Sequence, residues 1–398
     1  MRRSKAFSLV ELMVAMMVLF LLGGAVITSF WVFVRSYETD RDYTEAREEI
    51  EYTFQRLGRD FTNISLGMPN NKVGSGDFSE AFRGVDDNRS PIMFFMGHKF
   101  ARWGGPILLR WHPSDDPDYF NDNPGNPKVQ EPVSYDSKNV YVGNELIYAT
   151  AIPAMVEKGG VRSVIKMQPN VNIGRRVQGD TLTIPLLQGE EAIDALLAYR
   201  DEGRDAGIVL GRDNQRSPRS WIVLPGLQIP LLIEGWSKGN AVTGEAPEVG
   251  NALRAIIAPY SDPDGDIEHI GMLGGLEEVY LVKVARIFVN GSRQLVQEIY
   301  GDDFAETIGD MSRDSTLNFL AENIAGAVFI FDPEARTLTM HLAAMGTAAD
   351  PAQGAARVQP AAWPVISSDS TVNDNITLPD DILDHRLVVG SRTWRIRN

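Results

Sequence analysis

The chain opens with an unbroken apolar run from Phe7 to Val34, FSLVELMVAMMVLFLLGGAVITSFWVFV, 28 residues in which Glu11 is the single ionisable side chain. A helix rises 1.5 Å per residue, so about 20 apolar residues cross a bilayer and this run is long enough. After Val34 the period changes to three and four. Tyr43, Ala46, Ile50, Phe54, Leu57 and Phe61 make one apolar stripe, while Arg41, Asp42, Glu45, Arg47, Glu48, Glu49 and Arg56 occupy the other face. The two patterns together predict one helix over residues 7–61, membrane-spanning over 7–34 and amphipathic beyond. A core-facing helix of any domain would show the same stripe, so it carries weight only when joined to the apolar run. Gly23-Gly24 interrupts the middle of the run, a place for local melting or for close helix packing.

From residue 62 to 398 the pattern is that of a β-rich domain. Candidate strands are Ile92–Met96, Ile107–Trp111, Val140–Thr150, Val161–Met167, Thr181–Leu187 and Trp221–Leu224. Asn290-Gly291 between the apolar runs Val279–Val289 and Leu295–Tyr300 predicts a hairpin with a loop of two residues or more. Leu338, Met340 and Leu342 alternate with Thr337, Thr339 and His341, the mark of a half-buried strand. Glu190–Arg200 and Leu317–Ile324 are the helix candidates outside the N-terminus. Loop-rich stretches lie at Asp115–Pro132 and Gly346–Asp380. The expected class is α+β, a long N-terminal helix packed on a mainly antiparallel β domain.

Charge sets the orientation. Arg2, Arg3 and Lys5 precede the apolar run with no acid among them, so the N-terminus should stay in the cytoplasm and everything after Val34 should cross. A secretory signal peptide fits poorly, because its apolar core is typically about 7–15 residues. A plain membrane anchor leaves Glu11 unexplained, since a carboxylate in hydrocarbon costs a few kcal/mol and marks a functional position.

The segment Lys5-Ala6-Phe7-Ser8-Leu9-Val10-Glu11-Leu12-Met13 resembles the class III signal of type IV prepilins and type II secretion pseudopilins. In that family a short basic leader ends in a small residue, a cut follows, and Glu stands fifth after it. The resemblance implies a leader of residues 1–6, a prepilin peptidase cut between Ala6 and Phe7, and N-methylation of Phe7. Ala6 stands where the family more often has Gly. Loss of Arg2, Arg3 and Lys5 would take the formal net charge from −15 to −18. The new ammonium on Phe7 could then meet the Glu11 carboxylate of a neighbouring subunit, where low dielectric makes such a pair strong and sets register.

A second, narrower resemblance covers LNFLAENIAGAVFIFDPEARTLTMHLA, residues 317–343, and the chain end Arg392–Asn398. Both are similar to the C-terminal sheet and closing strand of the J-type minor pseudopilin and its pilus counterpart. Residues from about 70 to 275 resemble no family and suggest a large insertion in a periplasmic domain over residues 62–398. A mature chain of 392 residues (398 less six) would crowd its neighbours if repeated along a filament shaft. A minor, initiating subunit at or near the tip of a type IV pilus or type II secretion filament follows from that size.

The search for other chemistry is brief. There is no Cys, hence no disulfide or thiolate metal site. A net charge of −15 argues against a nucleic-acid surface. No Walker A loop, His-Glu-x-x-His or Gly-x-Ser-x-Gly occurs, and His98, His112, His269, His341 and His385 lack ligand spacing. Asp262, Asp264 and Asp266, with Glu268 behind them, form the one candidate calcium cluster, although a solvated Asp/Pro/Gly turn explains them as well. No other cofactor is expected. Phe100, Trp103 and Trp111 suit a sugar or protein contact, or simply core packing. The expected partners are sister pilin subunits, the prepilin peptidase and the bacterial inner membrane. The rival functions are a tip adhesin and a membrane-anchored periplasmic enzyme.

Overall fold

The computed structural model describes residues 9–68, 106–110, 133–179, 181–201, 220–227, 230–239, 241–244, 250–257, 277–300, 315–349, 359–366 and 376–396. A single helix, α1 (Leu9–Thr62), joins the apolar run to the amphipathic stripe without a break. Its 54 residues give a rod about 81 Å long at the helical rise. Neither run contains proline, and Gly23-Gly24 lies inside the continuous helix.

The chain is α+β, with mostly antiparallel sheet after α1. A five-stranded sheet holds β2 (Val133–Tyr135), β3 (Lys138–Gly143), β16 (Ile324–Asp332), β17 (Thr337–Ala349) and β18 (His385–Arg395) in the order β18-β17-β16-β3-β2. The second sheet has eleven strands. Its helix-side part comprises β1 (Ile107–Arg110), β4 (Glu145–Pro153), β13 (Tyr280–Val289), β14 (Leu295–Tyr300) and β15 (Ser315–Ala321). A hairpin of β5 (Met155–Lys158) and β6 (Val161–Val164) stands apart from both sheets. The larger sheet continues from β13 through β9 (Ser220–Val223), β10 (Pro230–Lys238), β12 (Ala252–Ile257), β8 (Thr181–Pro185) and β7 (Val177–Gln178), with β11 (Ala241–Gly244) paired to β10.

Three cores follow from this layout. The first wedges α1 between the two sheets: Ile50, Phe54, Leu57 and Phe61 pack on Leu146, Tyr148 and Ile287 of the larger sheet and on Phe329, Met340 and Trp394 of the smaller. Ala46 joins its margin, whereas Tyr43 is 40% exposed and lies under the Arg386 guanidinium. The second core gathers Ala154 to Leu281 beneath α2 (Glu190–Asp201). The third covers the opposite face of the five-stranded sheet with Trp363, Ile366, Leu378 and Ile382. Strands β1, β3 and β4 lie within residues 70–275, yet they belong to the α1 core or its sheets.

Most strands stand where the pattern predicts them. The run Val140–Thr150 divides at Asn144, and its halves, β3 and β4, enter different sheets. Leu317–Ile324 is a correction: it is strand β15 followed by a turn and the start of β16, not a helix. Ile92–Met96 lies outside the described residues. The Asn290-Gly291 loop spans residues 290–294. Arg293 N donates to Asn290 O (3.0 Å) and Asn290 N to Gln294 O (2.9 Å), and Arg293 takes the left-handed bulge position at φ 57°.

Candidate assembly helix

The two halves of α1 live in opposite environments. From Leu9 to Phe33 every large apolar side chain is exposed, none below the 48% of Val18, whereas Ile50, Phe54, Leu57 and Phe61 are 2% exposed or less. Nothing in the described residues covers the first half, and the helix is long and apolar enough to cross a bilayer. An apolar surface of this extent calls for lipid or for other helices.

The ends of the apolar half are marked by polar chemistry. Trp31 and Tyr37, both exposed, bracket Arg35, the first cation after the run. Aromatic rings and a snorkelling Arg of this kind settle at a membrane–water interface. Glu11, exposed near the other end, is 24 residues before Arg35, or about 36 Å along the helix. A hydrocarbon layer is about 30 Å thick, so the stretch between them is long enough to cross one. Gly23 and Gly24 carry no obstruction within 4 Å of where a Cβ would stand. Between them and Arg35, Thr28 Oγ1 donates to Gly24 O at 2.9 Å within the helix.

The head begins just past the apolar half. Arg386 of β18 lies 3.9 Å from Asp40 and 5.3 Å above the Tyr43 ring, six residues beyond Val34. The helix then runs between two strands. On one flank Gly390 lets β18 touch it: a Cβ there would stand 2.6 Å from Ile50 Cγ2. On the other, Glu322 N donates to Glu49 Oε1 at 2.9 Å and Arg56 Nη1 to Phe319 O at 3.3 Å. These two side chains hold the edge strand β15 against the helix.

The lower end is latched by a polar network that sequence reasoning missed. Gln297 Nε2 donates to Tyr148 Oη at 2.6 Å and to Asp60 Oδ2 at 2.9 Å, while Thr150 Oγ1 donates to Asp60 O at 2.9 Å. Burial first, then the Asp60 charge, pushes the Tyr148 hydroxyl well above its ordinary pKa. Asp60 looks in sequence like one more charge beside the stripe, and Gln297 like a solvent-facing strand position. Nothing short of the fold pairs them.

Ala6 and Phe7 lie outside the described residues, as do Asp262, Asp264 and Asp266, Phe100, Trp103, Trp111 and three of the five histidines. Among the described residues no group of three His, Asp or Glu could hold a metal ion.

Residues 1–27 match the family model of the prokaryotic N-terminal methylation motif. The match supports a type IV pilin-like protein. It spans the basic leader, Ala6, Phe7, Glu11 and the helix as far as Ile27. No curated protein and no solved structure matches the chain. A pilin-like N-terminus, an apolar helix fit to anchor in a membrane and a β-rich head on its second half are therefore features of one molecule.

Proposed function

We propose that this chain is a minor pilin or pseudopilin, most like the J-type, that enters a type IV pilus or type II secretion filament through α1 at or near the tip and helps initiate assembly. The supporting observation is the continuity of α1. One continuous helix joins residues 9–27 of the methylation motif and an exposed apolar half to a packed head. In the stored state, the apolar half spans the inner membrane with the N-terminus cytoplasmic and the head periplasmic. Prepilin peptidase hydrolyses the Ala6–Phe7 bond and methylates the new amine. The Phe7 ammonium then pairs with Glu11 of a neighbouring subunit as the helices exchange lipid for one another.

The head is large, with a second core from Ala154 to Leu281 drawn mostly from the insertion proposed over residues 70–275. Stacking such heads at every step of a shaft is sterically costly, and a tip position relieves it. The role is structural, with sister subunits, peptidase and membrane as partners.

Absence of native Cys makes the test clean. Single cysteines placed at exposed positions of α1, such as Val14→Cys and Val18→Cys, should form disulfides with cysteines placed at matching positions of the sister pilins in cells assembling the filament. Glu11→Ala should abolish those crosslinks while leaving the chain in the membrane. Crosslinks unchanged in Glu11→Ala, or absent from the single-cysteine chains that keep Glu11, would contradict the proposal.

A further inference from the structure

Strand β18 closes one end of the five-stranded sheet, and among the described residues β17 is its one ladder partner. The two strands keep unbroken register over nine pairs, from Met345↔Leu387 to Thr337↔Arg395. Residues opposite each other in an antiparallel ladder alternate between bonded and non-bonded pairs. Ile396 N donates to Arg336 O at 2.9 Å, which makes these two a bonded pair and fixes the phase of the rest. Val388, Gly390, Arg392 and Trp394 therefore direct their backbone groups at β17. Leu387, Val389, Ser391, Thr393 and Arg395 each turn one N–H and one C=O to the outer edge.

The faces of β18 show how far that edge can be reached. Val388 and Trp394 point into the α1 core, while Leu387 and Val389 pack on the third core. Further along, Ser391, Arg392 and Thr393 are exposed in succession, and so is Arg395. Consecutive residues point to opposite faces, so exposure of all three leaves both faces bare and the edge between them open.

Long open edges invite unwanted pairing, and proteins blunt them with short strands, proline, bulges or a covering helix. The other sheet ends follow that rule. β1, β2, β5, β6, β7 and β11 are two to four residues long. β15 is held against α1 through Glu49 and Arg56. β18 has 11 residues and no proline, and its one register shift falls before Leu387. The helix packs on its face, where Gly390 admits Ile50, and not along its edge.

Charge selects the guest. β18 carries Arg386, Arg392 and Arg395 and no acid, in a chain of net charge −15. Arg386 is matched by Asp40 at 3.9 Å. Arg392 and Arg395 are exposed on opposite faces of the strand, so an acidic segment is attracted here and repelled by the chain as a whole.

We propose that the outer edge of β18 accepts an extended acidic segment of another polypeptide as a sixth strand. The five outward residues supply the ladder, and acids opposite Arg392 and Arg395 decide the partner. The guest is apolar toward Leu387 and Val389, which already pack on a core. The site is separate from Phe7, Glu11 and the apolar half of α1, so it stands or falls apart from the filament reading.

The test uses the full chain in detergent and fluorescence anisotropy of labelled peptides. The probes are Glu-Thr-Thr-Glu-Thr-Thr-Val-Thr-Val, the same residues in reverse order, and both with Lys in place of Glu. The Glu peptide that binds is then remade with N-methyl groups on alternate amides, in each of the two phases. Methyl groups in one phase face β18 and block the ladder, whereas in the other they face away.

The expected result is binding of a Glu peptide and not of its Lys counterpart, kept in one methylated phase and lost in the other. Arg392→Gln combined with Arg395→Gln should weaken the Glu peptide about three- to tenfold at an unchanged unfolding midpoint. Should that variant unfold early, the methylated pair decides alone. Binding of neither Glu peptide, equal binding of the Lys forms, or an equal response to both methylated phases overturns the proposal. So does a chain that dimerises through β18 and ignores the peptides.

Discussion

The indole of Trp394 meets the ring of Phe61 edge-on, with centroids 4.8 Å apart and planes at 84°. One ring comes from the last turn of α1 and the other from β18, far apart in sequence. Phe61 also meets Tyr148 of the larger sheet at 5.5 Å and 86°, so a single aromatic cluster ties the helix to both sheets.

Trp394→Ala should therefore loosen the helix from the head as well as open a cavity. The expected loss is about 3–5 kcal/mol, as for other buried aromatic truncations, measured by chemical denaturation of the full chain. A double-mutant cycle with Phe61→Leu should return a coupling of about 0.5–1.5 kcal/mol. Additive effects would mean that the two rings do not support each other.

Gly390 tests the same interface from the opposite direction. Its missing Cβ would stand 2.6 Å from Ile50 Cγ2 and 3.2 Å from Phe54 Cε2. Gly390→Ala should destabilise by about 1–3 kcal/mol through overpacking. Ile50→Ala, which removes Cγ2, should cost less in the Gly390→Ala chain than in the parent, and an equal cost in both would place the clash elsewhere.

Arg286 lies between two buried carboxylates. Its Nε bonds Glu298, its Nη1 is 3.4 Å from Glu145 Oε1, and its guanidinium covers the Phe288 ring at 4.4 Å. The Arg286 side chain is 11% exposed, against 0% for Glu145 and 6% for Glu298. Removing the cation should cost about 3–5 kcal/mol, because it leaves two negative charges in low dielectric. Arg286→Ala should accordingly be far more damaging than Arg286→Ala with both acids changed to Gln, a comparison made by thermal unfolding.

Stability should fall at both ends of the pH scale for separate reasons. Burial lowers the pKa of His341 below 6.5, and its Nδ1 has no hydrogen-bond partner. The unfolded chain then binds the proton more readily, so this contribution is full above about pH 6.5 and is lost as pH falls below it. Tyr148 acts at the alkaline end. Its raised pKa keeps the folded state protonated, so its contribution is full below about pH 10 and is lost as pH rises through the folded value. His341→Gln should flatten the acid limb of a denaturation–pH profile, and Tyr148→Phe the alkaline limb.

The stripe of α1 was legible because six positions repeat at one period and one face is buried from Ile50 to Phe61. Leu317–Ile324 misled for a definable reason. Leu317, Leu320, Ala321 and Ile324 have helical spacing, but the spacing arises from two irregularities in sheet. A register shift opposite Leu295 and Val296 turns Leu320 and Ala321 inward together, and Asn323 at φ 53° reverses the chain before Ile324. Bulges and left-handed turns obey no period, so pattern alone mistakes them for helix.

At the candidate site the division is similar. Glu11 stood out as a lone acid in an apolar run, a signal that needs no fold. The Asp60–Gln297–Tyr148 latch joins positions up to 237 residues apart, and each looks ordinary in its own window. Long-range polar pairs of this kind are set by topology.

The mass of the mature N-terminus, measured after co-expression with an active prepilin peptidase, tests the central claim most directly. A chain beginning at methylated Phe7, with the first six residues gone, is the predicted result. Retention of Met1 beside a peptidase that processes a control prepilin, or a cut beyond residue 20, would contradict it and remove the basis for pairing Glu11 between subunits.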